Sequence, residues 1–112
     1  MNVTLEMTET ALGNAGVRLS VSGDINIHTA MQLRKQLKTL LDPKHEEVRV
    51  DLSGVDFMDS AGIATLVEGL QWSQDSGGRF TLSGLTDNVR DIFTLAKLDT
   101  VFDIREDHAS DA

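Results

Sequence analysis

DLSGVDFMDSAG, residues 51–62, is the stretch whose reading decides the fold. Just before and into it, Val48-Arg49-Val50-Asp51-Leu52 alternates apolar and polar, the period of a half-buried strand. Just after it, Ile63, Leu66, Val67 and Leu70 recur at i, i+3, i+4 and i+7, one apolar stripe of a helix. Between the two, Asp59 and Ser60 are both good N-cap residues, and Gly62 allows close approach to the first turn. A helix start offers free N–H groups and the positive end of a dipole, which favour a bound or covalent phosphate. Ser60 therefore occupies a position suited to reversible phosphorylation. On residue chemistry alone it is equally an ordinary cap, the commoner role of serine at such a place.

Working outward, the strand–helix alternation continues in both directions. Residues 3–8 read as an edge strand, 10–16 as a hairpin loop with Gly13, Asn14 and Gly16, and 17–21 as a second strand. Thr29 is the expected N-cap of a helix to about Leu41, with Ala30, Leu33, Leu37, Leu40 and Leu41 at helical spacing and Pro43 just past its end. The helix that begins at Ser60 should run to Asp75, with Ser76-Gly77-Gly78 as C-cap and turn. A strand over 79–83 follows, then a helix capped by Thr86 or Asp87 and reaching Lys97, then a short strand over 101–104. Strands alternating with amphipathic helices predict an α/β domain with a four- or five-stranded mixed sheet and three to four helices packed on it. Residues 1–104 form the single expected domain, and 105–112 an acidic, disordered tail.

The 112 residues suit one domain with its own core, and 40% apolar with 25% charged residues is ordinary for a soluble globular protein. No apolar run approaches the ~18 residues of a membrane span. MNVTLEMTET lacks a basic and an apolar signal region, which gives a cytoplasmic expectation. With no cysteine there is neither disulfide nor thiolate chemistry. The net charge of −8 disfavours nucleic-acid phosphates and anionic lipid, and four acids against one arginine sit in the last ten residues. His28, His45 and His108 are scattered, so no metal cluster is expected, and no cofactor motif is visible. Asp51, Asp56 and Asp59 lie close in sequence, but one ends a strand and another explains itself as a cap. Ser60 as a catalytic nucleophile would need a base, and no histidine is near it in sequence. Trp72 lies about one position off the apolar stripe of its helix and is expected to pack at the core edge.

The Phe57-Met58-Asp59-Ser60-Ala61-Gly62 run closely resembles the signature of STAS domains of the bacterial anti-sigma factor antagonist family. VSGDINIHTA (21–30) is similar to that family's second strand and its turn into the first helix, FTLSGL (80–85) to its later strand, and VRDIFTLAKL (89–98) to its third helix. The resemblance spans roughly residues 15–104 in the family's order and implies the STAS fold. It implies a non-enzymatic partner-switching protein: when Ser60 is unphosphorylated the chain binds an anti-sigma factor that is also a serine kinase. Phosphate on Ser60 breaks the complex, and a PP2C-type phosphatase restores it. The expected partner surface is Asp24, Asn26, His28, Phe57, Met58, Asp59, Ser60 and Ile63, with Asn26 and Ser60 on one face. Of Phe57 and Met58, the strand-to-helix turn is expected to bury one. Neither nucleic acid nor membrane insertion is part of this reading. Asn26 departs from the family, which usually has an aspartate there. A second resemblance is to STAS subunits of lipid-transport (Mla-type) ABC complexes, which share the Asp-Ser/Thr-small-Gly turn.

Overall fold

A computed structural model describes residues 4–41 and 45–105. The chain order is β1 (Glu6–Leu12), β2 (Gly16–Ser22), α1 (Ala30–Leu40), β3 (Glu47–Gly54), α2 (Ser60–Ser76), β4 (Arg79–Ser83), α3 (Asp87–Leu95) and β5 (Asp103–Arg105). The five strands form one sheet in sequence order. β1 and β2 make an antiparallel hairpin, and β2 to β5 are parallel. Three successive β–α–β connections thus step the same way across the sheet, and connections of the usual right hand place all three helices on one face.

The alternation of the strands agrees with this layering. Val17, Leu19 and Val21 of β2, Val48, Val50 and Leu52 of β3, and Phe80 and Leu82 of β4 face the core. They meet Ala30, Leu33, Leu37 and Leu40 of α1, Leu66 of α2, and Val89 and Phe93 of α3. Phe93 packs edge-on against Phe102, ring centroids 5.5 Å apart. On the other face, neighbouring strands align Arg18, Arg49 and Thr81, and one step along Ser20, Asp51 and Ser83. There the Glu47 carboxylate accepts from the Thr81 hydroxyl at 2.9 Å and pairs with Arg49 and Arg79, each at 3.2 Å.

The sequence places the central elements well and the edges less well. β1 begins three residues later than the alternation suggested and uses Thr10–Leu12, read above as loop, because its partner β2 supplies the pairing register. The turn shrinks to 13–15. α2 ends at Ser76, with Gly77 in the left-handed conformation at φ 80° and its N–H donating to the helix's last carbonyls. α3 stops at Leu95, and β5 starts at Asp103 and includes Arg105, assigned above to the tail. Val3, Pro43 and residues 106–112, including His108, lie outside the described residues. No helix among the described residues is long and apolar enough to cross a membrane.

Candidate functional site

The carboxyl ends of the parallel strands lie along one edge of the sheet, where loops after strands gather. Beyond β2 and β3 two of these loops are tied together by backbone. The Ile25 N–H donates to the Phe57 carbonyl at 3.0 Å, and the Asp59 N–H donates to the Ile25 carbonyl at 3.0 Å. Ile25 and Met58 thereby form a one-residue parallel bridge. Both side chains are buried, at 0% and 2% exposure, and anchor the bridge in the core. Asn26 and Ser60 each follow this clamp directly. Gly62 completes it: a Cβ there would meet Met58 Cγ at 2.6 Å and Ile25 Cγ2 at 2.7 Å, so the first turn of α2 rests on both residues only as glycine.

The cap of α2 is Asp59. Its Oδ1 accepts from the Ala61 N–H at 2.9 Å and the Gly62 N–H at 3.4 Å, and its extended backbone (φ −102°, ψ −172°) suits the cap position. Ser60 is the first helical residue, and it is exposed. With the cap supplied by its neighbour, the serine hydroxyl has no capping task. The choice between Asp59 and Ser60, open in the sequence, is closed by geometry.

Thr29 holds the N-cap position of α1, as expected, but without a side-chain cap bond. Its hydroxyl donates to the Asp24 carbonyl at 2.7 Å and accepts from the Asn26 N–H at 2.9 Å. Asn26 closes the turn that leads into α1, its Oδ1 accepting from the N–H groups of His28 at 2.8 Å and Thr29 at 3.1 Å. The chain already turns at Asn26, whose carbonyl accepts from the Thr29 and Ala30 N–H groups. A buried Thr29 then serves as the pin beneath the turn. This task needs a short side chain with an acceptor, which asparagine supplies without the charge of aspartate.

Of the expected surface residues, His28, Phe57 and Ser60 are exposed, and Asp24, Asn26, Asp59 and Ile63 are half-buried. Met58 presents no surface; the turn buries it and leaves Phe57 49% exposed. Two large apolar side chains at this edge went unremarked in the sequence: Ile27 at 74% and Met31 at 57% exposure. Met31 falls off the buried stripe of α1 and Ile27 lies in the turn before it, but an isolated exposed apolar residue is too common to be read as a site. Asp51 accepts from the Ser53 N–H at 2.9 Å, and Asp56 is exposed. Among the described residues no group of three His, Cys, Asp or Glu side chains is placed to hold a metal ion.

The fold has known counterparts. The family model described as Mlab, STAS domain matches residues 8–106. The chain belongs to the STAS-domain family. An anti-sigma-B factor antagonist of Bacillus subtilis (strain 168) is 24% identical to this STAS chain over 104 residues, spanning 93% of it and 92% of the relative. The crystal structure of an anti-sigma factor antagonist from Mycobacterium paratuberculosis superposes with a TM-score of 0.85 at 22% identity, over 99% of this chain and 92% of that one. The phosphorylated form of the Bacillus cell fate determinant SpoIIAA superposes at 0.73 with 16% identity, over 94% of each chain. At these identities the structural matches speak for the STAS fold.

Proposed function

We propose that this STAS domain is an anti-sigma factor antagonist that works by phosphorylation-controlled partner switching. In this reading the unphosphorylated chain binds an anti-sigma factor that is also a serine kinase. The kinase phosphorylates Ser60 and releases the chain, and a PP2C-type phosphatase resets it. The chain is a cytoplasmic binding protein and not an enzyme. The observation that carries the reading is the exposed Ser60 at the first position of α2, relieved of capping by Asp59 and following a loop tied by backbone to Ile25. The naming of relatives as anti-sigma factor antagonists supports it.

The physics of the switch is local. A phosphate adds about −1.5 to −2 charge at pH 7. On Ser60 it stands next to the Asp59 carboxylate, whose Oδ1 already takes the Ala61 and Gly62 N–H groups. In the free protein water solvates this charge and the helix dipole favours it. In a complex the same charge is desolvated against an apolar and acidic neighbourhood, which opposes docking. The test is incubation with the candidate kinase and ATP, followed by mass spectrometry. A single phosphate on Ser60 is expected; phosphate on Ser53, Thr65 or Ser83 in its place overturns the reading.

A second reading is a STAS subunit of a lipid-transport ABC complex. The description of the matching family model favours it. A permease and an ATPase encoded beside this chain, and no kinase or phosphatase, would select it.

A further inference from the structure

Beyond Ser60, the solvent side of α1 carries exposed side chains that lie outside the core. Its core side is Ala30, Leu33, Leu37 and Leu40. Away from it, Met31, Lys35 and Lys38 lie on one side of the helix, and Ile27, in the turn before α1, stands four residues ahead of Met31. Ile27 is 74% and Met31 57% exposed, and both lysines are exposed. Ile27 directly follows Asn26, so the row starts at the clamped edge and runs down the helix away from it.

Arg34 Nε lies 3.0 Å from Glu68 Oε1 of α2 and its guanidinium stands over the Trp72 ring at 5.3 Å. Lys38 Nζ stands over the same ring at 6.0 Å. Lys35 and Lys38 have no carboxylate partner among the described residues, in a chain of net charge −8. Two large apolar side chains at one end and two uncompensated ammonium groups at the other make a surface with direction.

We infer that the solvent side of α1, Met31, Lys35 and Lys38, together with Ile27 of the turn before it, is a docking stripe for an acidic, amphipathic segment of the protein partner. Apolar residues of that segment cover Ile27 and Met31, and carboxylates face Lys35 and Lys38. This rests on the partner-switching reading, because the stripe continues from the Ser60 edge and the same partner is taken to span both. Apolar anchors of this kind hold an interface together, and thioether side chains adapt to the surface they meet. The rim lysines act on encounter and on the choice of partner, with an effect that salt screens. Two lysines on a strongly acidic chain are too few for a nucleic acid or an anionic membrane, whose attraction scales with the number of cations engaged. An acidic protein segment needs only these two. Arg34 is held by Glu68 and shapes the border; the ligand charge is met by the lysines.

The experiment measures binding of the full chain to the kinase that phosphorylates Ser60, by surface plasmon resonance at low and at moderate salt. The forms are wild type, Met31→Asp, the double variant Lys35→Glu/Lys38→Glu, and Ser60→Asp, each checked for folding by circular dichroism. Met31→Asp should raise Kd by about tenfold or more, chiefly through faster dissociation. The double variant should slow association by about tenfold at low salt and by much less at moderate salt. Trp72 is the single tryptophan. Its emission should change on binding, because Lys38 above it meets the partner, and Trp72→Phe gives the blank. If Ser60→Asp weakens binding while both stripe variants bind as wild type and Trp72 emission is unmoved, the stripe is wrong and the Ser60 reading stands. If the stripe variants weaken binding and Ser60→Asp does not, the stripe holds and the switch fails. No binding by wild type overturns both.

Discussion

Ser60 and Asp59 divide between them what the sequence offered to either. Because Asp59 holds the cap, Ser60→Ala should change unfolding free energy by no more than about 0.5 kcal/mol in urea titration, as for a surface site without contacts. Asp59→Ala should cost about 1 kcal/mol, the usual loss of a cap. Against the purified partner, affinity should follow the order Ala ≈ wild type > Asp > phosphoserine at position 60, measured by calorimetry. The Asp step should reach about 2 kcal/mol if the contact is well desolvated, and the dianion should exceed it. Equal affinity of all four forms would leave Ser60 without a regulatory role. Asn26 gives a further test at this scale. Asn26→Asp keeps the Oδ1 acceptor that serves His28 and Thr29, so the fold should be unchanged. The added charge restores the residue usual in the resembling family, and the initial rate of Ser60 phosphorylation should rise; an unchanged rate would make this position a turn residue and nothing more.

At the scale of elements, the first turn of α2 is held by what lies under it. Gly62 lies on Ile25 and Met58, both inside the core. Gly62→Ala should therefore destabilise by about 1–3 kcal/mol, because a methyl group is forced into a packed site. A loss below about 0.5 kcal/mol by denaturant unfolding would show that the Ile25–Met58 bridge yields easily. β3 and α2 were legible because each carries a clean period: β3 alternates and α2 repeats its apolar stripe. β1 was displaced because an edge strand with exposed Thr8, Glu9 and Thr10 has no burial to imprint a period. Its register comes from pairing with β2. That Thr29 holds the cap position without a side-chain cap bond has a related reason. Ser, Thr, Asn and Asp compete for the same turn bonds, and nothing local says that Thr29 will be buried while Asn26 takes the N–H groups.

For the molecule as a whole, the polar side of the sheet sets an acid limit. Burial alone would push the Glu47 carboxyl up, but the Thr81 hydroxyl and the charges of Arg49 and Arg79 outweigh it and hold the group below its ordinary value of 4.5. A carboxyl depressed by folding adds stability above its unfolded pKa and loses it as pH falls through the folded value. Wild type should thus lose stability on acidification from about pH 5 downward, in part through Glu47. Glu47→Gln should be less stable at pH 7 by about 2 kcal/mol, since Arg49 and Arg79 lose their carboxylate, and the gap should narrow as pH falls below 4.5. Thermal unfolding of both proteins across pH 3 to 7 checks this; a gap independent of pH would mean that the ion pairs contribute nothing. The network joins β3 to β4 through residues 47, 49, 79 and 81, and sequence separation of more than thirty residues hid it.

The sequence by itself determined the order of strands and helices, the start of α2 within the Asp59–Gly62 turn, and the family signature, because period, cap chemistry and glycine are local properties. Only tertiary structure decided that Asp59 and not Ser60 caps α2, that Met58 points inward and Phe57 outward, and that the loop before Asn26 is tied to the loop before Ser60. The last of these is made by the Ile25–Phe57 and Asp59–Ile25 backbone bonds across two loops far apart in the chain. Such bonds exist once β2 and β3 pair side by side, and pairing between distant strands leaves no periodic trace in either one.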